Sequence, residues 1–339
     1  MERWLHQSGA GGMKTDLPDA ADVRAAAARI AGVAVRTPLL EFPALNARTG
    51  GRVFVKPEVL QRTGSFKFRG ACNRLSQLSS AEAPGGIVAW SSGNHAQGVA
   101  AAAALRGLAA CIVMPSDAPQ LKVARTRGFG AEIVFYDRLK ENREEIGRGL
   151  AAARGAIIVP PYDDPDIIAG QGTAALEIAE DASRLGVGLD AVLVPAGGGG
   201  LAAGTALAIG ALLPDAKVYC VEPAQFDDHA QSLASGARIE NPSGGHSICD
   251  ALMAPLPGEV TFAINGPRLA GGLSVTDGEV EAAMRFAFEE MKLVVEPGGA
   301  VALAALLSGK HDARGAAVAI ILSGGNVDAA LFSRVLSAG

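Results

Sequence analysis

Residues 190–205 read Asp-Ala-Val-Leu-Val-Pro-Ala-Gly-Gly-Gly-Gly-Leu-Ala-Ala-Gly-Thr, and this stretch decides the fold class. A β-branched apolar run, Ala191–Pro195, leads into Gly197, Gly198, Gly199 and Gly200, and an Ala-rich helical segment follows. Strand, glycine turn and helix in that order form the repeating unit of a sheet covered by helices. Successive glycines present backbone N–H groups, and the helix N-terminus adds partial positive charge. Together they make an anion cradle suited to a phosphate. Two phosphate chemistries compete. Gly197-x-Gly199-x-x-Ala202, with Glu222 about 20 residues further on, fits a dinucleotide fingerprint. That fingerprint usually opens its domain, whereas here at least four predicted strands come first, which favours a monophosphate. A Walker loop is excluded, because no Lys-Ser or Lys-Thr follows the glycines. A turn serving only close strand–helix packing is disfavoured by four consecutive glycines.

Outward from this unit, further strands are predicted at Arg52–Lys56, Ile87–Trp90, Ala110–Met114, Glu132–Phe135, Lys217–Val221 and Ala316–Leu322. Most are continuous apolar runs, the pattern of strands buried on both faces of a parallel sheet. Helical segments lie between them. Thr276 and Glu279 form a capping box ahead of Val280, Met284, Phe288 and Met291, which are predicted to face the core. No repeats or long linkers occur, so a second domain must be inserted in the first or closely apposed to it.

The 339 residues suit about two domains, and 49% apolar residues provide a real core and exclude extended disorder. A net charge of −5 argues against a general nucleic-acid binder. Ala191–Pro214 carries no charge over 24 residues, yet its proline and glycines favour a buried strand, loop and helix over a membrane span. Cys72, Cys111, Cys220 and Cys249 are widely spaced and form no C-x-x-C, as expected of reduced thiols in a cytoplasmic protein. The first twelve residues, with no apolar run of secretory length, read as an expression scar.

Three further segments carry chemistry: 56–71 around Ser65-Phe66-Lys67, Ser91-Ser-Gly-Asn-His-Ala-Gln-Gly98, and Leu322-Ser-Gly-Gly-Asn-Val-Asp328. Lone lysines are usually solvated charges. Lys67 instead stands between Phe66 and Phe68 at a predicted helix start, where an apolar setting would lower its pKa and make it an amine nucleophile.

Taken in order, these motifs resemble the fold-type II pyridoxal-phosphate enzymes, specifically the threonine/serine dehydratase and serine racemase group, over about residues 18–338. The resemblance implies a tryptophan-synthase-β-like α/β fold with two open, twisted, mostly parallel sheets flanked by helices. The domains would be a large cofactor-binding one (13–85 and 164–339) and a small mobile one (86–163), and the chains would pair as a homodimer. Lys67 would carry pyridoxal 5′-phosphate as a Schiff base, with Phe66 against its ring. Asn94 would bond the ring's 3′-oxygen, and Ser323 would meet the pyridine nitrogen. Gly197–Gly200 and Leu201 would hold the phosphate. The loop of Ser91, Ser92, Asn94 and His95 would receive the substrate carboxylate.

The implied activity is ammonia release from a 3-hydroxy amino acid, with L-threonine or L-serine leading and 3-hydroxyaspartate next. An amino-acid racemase is the runner-up within the family, and an NAD-dependent oxidoreductase the alternative outside it. Ser92 matches the serine that faces the lysine across the substrate in the racemase branch, or is one more hydroxyl for the carboxylate. Arg143 matches an arginine of the racemase and 3-hydroxyaspartate branch, against the competing reading of a solvated helix face. Tyr162 falls where the family places an asparagine or aromatic residue over the site. Glu222, the Phe226 carbonyl and Asp228 resemble a loop for Mg²⁺ or Ca²⁺, the competing reading being two surface acids. One departure is plain: Ser247-Ile-Cys-Asp-Ala251 stands where the family often reads Thr-Ile-Ala-Asp-Gly.

Overall fold

The structure is a computed structural model describing residues 17–118 and 120–338; the expression-scar reading of residues 1–12 lies outside them. Among the described residues ten strands form: β1 Leu40–Glu41, β2 Arg52–Pro57, β3 Ile87–Trp90, β4 Ala110–Pro115, β5 Glu132–Tyr136, β6 Ile157–Ile158, β7 Ala191–Pro195, β8 Lys217–Pro223, β9 Gly271–Val275 and β10 Ala317–Leu322. They make a six-stranded sheet, in the order β1-β2-β10-β7-β8-β9, and a four-stranded sheet, β5-β4-β3-β6. Every pairing is parallel except β1 with β2. Helices flank both sheets, as an α/β fold of this class requires. All seven predicted strands form, with ends shifted by at most two residues.

The sheets are held by helices that pack very closely. The helix Gly200–Leu212 meets the helix Pro165–Arg184 backbone to backbone, since a Cβ on Gly204 would lie 2.5 Å from the Gly172 nitrogen. Burial of nearly the whole first helix explains why 191–214 needs no charge. Among the described residues no helix is long and apolar enough to cross a membrane.

The Thr276–Glu279 capping box is present, and Val280, Met284 and Met291 are buried. Phe288 corrects the expectation: it is 41% exposed and meets Phe332 edge-on. The buried stripe runs through Val280, Ala283, Met284 and Ala287, leaving Phe288 beyond its edge.

Candidate active site

The C-terminal ends of the parallel strands converge, where ligands of open α/β sheets bind. β7 delivers the glycine turn, β3 delivers Ser91 to Gly93, and β10 delivers Ser323. The Phe66 N–H donates to the Ser323 carbonyl at 3.1 Å, and Ser65 bridges to Gly324. These bonds tie the lysine segment to the end of β10.

Lys67 is the first residue of the helix Lys67–Ser76. Its Nζ donates to the Pro161 carbonyl at 2.7 Å and lies 5.1 Å from the centre of the Phe66 ring. Among the described residues no carboxylate pairs with it, and burial lowers its pKa to about 8. An amine of this kind is partly neutral near neutral pH, as a nucleophile or proton acceptor must be.

The glycine turn fits a phosphate. Among the described residues, none of the five N–H groups from Gly197 to Leu201 donates to protein. Buried donors rarely go unpaired, so this run calls for an anionic acceptor. Gly199 has φ +93°, and Cβ atoms on Gly198, Gly199 and Gly200 would fall 2.3 Å from Tyr162, 2.4 Å from His229 and 2.6 Å from Gln171. The loop's carbonyls are occupied instead: Gly198 accepts from the Thr261 hydroxyl at 2.7 Å.

Asn94, the first residue of the helix Asn94–Arg106, is held by two side chains that sequence reasoning missed. Its Nδ2 donates to Glu296 Oε1, and its Oδ1 accepts from Asn326 Nδ2 at 2.7 Å. Glu296 precedes Pro297 at a helix start, which in sequence reads as an ordinary terminus. Asn326 lies within the quoted 322–328 segment, so a signal existed there. Burial raises the Glu296 carboxyl to about 7. Ser323 is 5% exposed, and its hydroxyl makes no hydrogen bond among the described residues.

On the substrate side, Ser91 Oγ accepts from the Gly93 N–H at 3.1 Å, while the partly buried Ser92 keeps its hydroxyl unbonded among the described residues. His95 Nε2 bonds the Val159 carbonyl at 2.9 Å, and burial lowers its pKa to about 3, so the ring is neutral. The Tyr162 ring packs on Gly198. Arg143 opens the helix Arg143–Arg154 and is exposed. Its charge acts on the Tyr162 phenol. Among the described residues its side chain makes no ion pair or hydrogen bond.

Glu222 is the penultimate residue of β8 and Asp228 opens the helix Asp228–Ser235; both side chains are fully buried, which corrects the reading as surface acids. Glu222 accepts from the N–H groups of His229 at 3.1 Å and Ala230 at 2.9 Å, and Asp228 Oδ1 from Asn241 at 2.6 Å. Among the described residues Asp228 Oδ2 has no hydrogen-bond partner, and Phe226 is buried nearby. Two adjoining buried carboxylates with an orphaned oxygen fit a divalent cation. Their burial raises both pKa values, Asp228 to about 7.

The chain matches the pyridoxal-phosphate dependent enzyme family over residues 30–324, and it belongs to that family. Its cofactor is pyridoxal 5′-phosphate, and the dinucleotide reading of the glycines falls. Within the family, it is similar to the L-threo-3-hydroxyaspartate ammonia-lyase of Pseudomonas sp, 49% identical over 93% of this chain and 97% of that one. The L-threo-3-hydroxyaspartate ammonia-lyase of Saccharomyces cerevisiae is 46% identical over 95% of this chain and 97% of that one. Among solved structures, a threonine deaminase from T.th. superposes with a TM-score of 0.86 at 45% identity, covering 92% of this chain and 99% of that one. These relatives bear out the expectation of a pyridoxal-phosphate lyase that releases ammonia from a 3-hydroxy amino acid.

Proposed function

We propose that the preferred substrate is a 3-hydroxy amino acid bearing a second carboxylate, of the L-threo-3-hydroxyaspartate kind, with L-serine and L-threonine turned over less well. The observation that carries this is the Arg143 guanidinium, which has no ion pair or hydrogen bond among the described residues and whose charge is felt at the Tyr162 phenol. An arginine fork without a protein partner is suited to grip a carboxylate bidentately. The names of the two ammonia-lyase relatives support the same choice.

When bound, pyridoxal phosphate draws electrons from the substrate's α-carbon and makes its proton acidic. The N–H groups from Gly197 to Leu201 hold the phosphate. Asn94, fixed by Glu296 and Asn326, bonds the ring's oxygen, and Phe66 lies against the ring. Ser323 offers the ring nitrogen a neutral hydroxyl, which cannot keep that nitrogen protonated as a carboxylate would. The weaker electron sink favours loss of the β-hydroxyl over transamination. The hydroxyls of Ser91 and Ser92 and the N–H groups of Ser92, Asn94 and His95 receive the α-carboxylate, and Lys67, with its lowered pKa, accepts the α-proton. Overall the hydroxy amino acid becomes a 2-oxo acid and ammonia. Racemisation is the second reading, favoured by the unbonded Ser92 hydroxyl as a proton carrier on the face opposite Lys67. The serine racemase of Schizosaccharomyces pombe is 41% identical over 95% of this chain.

Glu222, Asp228 and the Phe226 carbonyl hold a divalent cation beside this site. The proposal extends to a homodimer in the cytoplasm, where four buried free thiols persist. The large and small domains keep the boundaries read from the sequence.

Ammonia release assayed on both substrates tests the specificity. A charge-assisted pair contributes about 1.5–3 kcal/mol, so Arg143→Ala should lower kcat/KM for 3-hydroxyaspartate roughly 10- to 150-fold relative to L-serine. Equal losses on both substrates would contradict the assignment.

A further inference from the structure

His229 has no role in the chemistry above, yet it stands between the two carboxylates and the phosphate cradle. Its ring is fully buried. Nδ1 lies 3.3 Å from Glu222 Oε1 and 3.7 Å from Asp228 Oδ2, and among the described residues it makes no well-aligned hydrogen bond. One ligand atom from each of Glu222, Asp228 and His229 falls within 4.8 Å of the others. Asp228 Oδ2 is likewise buried and, among the described residues, without a hydrogen-bond partner. Two buried polar atoms facing each other without partners lose their hydration uncompensated, unless a third group joins them. At its other end the ring approaches the cradle: Nε2 is 3.3 Å from Asn265 Nδ2, which itself donates to the Gly199 carbonyl.

We propose that His229 is a third side-chain ligand of the cation, binding through Nδ1 beside the carboxylates of Glu222 and Asp228. The inference rests on the reading of those acids as cation ligands. Two carboxylates balance a divalent charge. The imidazole alters the preference: Mg²⁺ and Ca²⁺ are satisfied by oxygen alone, whereas nitrogen suits later first-row transition ions such as Co²⁺ and Zn²⁺, and Mn²⁺ takes it more readily than Mg²⁺ does. A cation on Nδ1 places the ring's proton on Nε2. There Asn265, whose Oδ1 has no hydrogen-bond partner among the described residues, accepts it only by an amide turn that releases the Gly199 carbonyl. The ion is thereby connected through one ring to the amide that otherwise holds the Gly199 carbonyl.

The test uses holoenzyme stripped with a chelator and titrated with Mn²⁺ or Mg²⁺. Pulsed electron paramagnetic resonance of the Mn²⁺ form should show ¹⁴N coupling from one imidazole, a readout that needs no variant and no turnover. In equilibrium dialysis, His229→Leu should weaken Mn²⁺ binding by at least about tenfold and Mg²⁺ binding less than about twofold. Bound Mn²⁺ without ¹⁴N coupling would overturn the inference and leave the carboxylate site standing. So would equal losses for both ions in His229→Leu. Failure of both ions to bind the unmodified holoenzyme would overturn the carboxylate reading as well.

Discussion

Lys67 and Glu296 are opposite in charge, yet burial drives both toward the neutral form. Lys67 falls from 10.5 to about 8 and Glu296 rises from 4.5 to about 7. The lysine was legible in sequence because two phenylalanines flank it. The glutamate was not, because its partner Asn94 is 202 residues away and only the fold joins them. Glu296 makes stability depend on pH. Its folded pKa lies above its unfolded one, so its contribution is complete below about pH 4.5 and is lost as pH rises through about 7. A rise from 4.5 to about 7 corresponds to about 3 kcal/mol. Cofactor-free protein should therefore lose more stability between about pH 5 and about pH 8 than Glu296→Gln, whose amide can still accept from Asn94. Denaturant melts at the two pH values measure this, and equal losses in the two proteins would refute it.

At the scale of elements, the glycine turn was the most legible part of the chain, because its strand, glycines and helix are contiguous. β9 was invisible for the converse reason. Gly-Gly-Leu-Ser-Val has no apolar run, and it forms a strand because β8 pairs with it. Gly272 is required there, since a Cβ would fall 2.5 Å from the Ala230 Cβ. The turn itself predicts a local lesion. Gly199→Ala would force an alanine to φ +93° and drive its Cβ into His229. The backbone cost alone is about 1–2 kcal/mol. The variant should retain pyridoxal phosphate at least about tenfold less tightly on dialysis, with its far-ultraviolet circular dichroism unchanged. Undiminished retention would show that Gly199 does not shape the cradle.

On the scale of the whole molecule, the site is assembled from segments that meet only at the ends of two sheets. Sequence motifs named the contributors from β3, β7 and β10, each written in short contiguous runs. They did not show how Asn326 reaches Asn94, nor that His229 stands behind Gly199, because such contacts depend on sheet order. Arg125 adds a link of this kind, donating to Asn326 Oδ1 at 2.9 Å across 201 residues. Sheet order also separates the buried Lys56 from the partly buried Lys67. Lys56 is fully buried, but its amine is engaged by Glu177 and the Thr37 carbonyl, each at 2.5 Å. Lys67 has no carboxylate partner among the described residues and stands where the strand ends converge. Borohydride reduction of the holoenzyme followed by peptide mapping tests this assignment most directly. The account predicts a single pyridoxyl adduct on Lys67, and neither adduct nor visible absorbance in a folded Lys67→Ala variant. An adduct on Lys56 or any other lysine, with Lys67 unmodified, would contradict it.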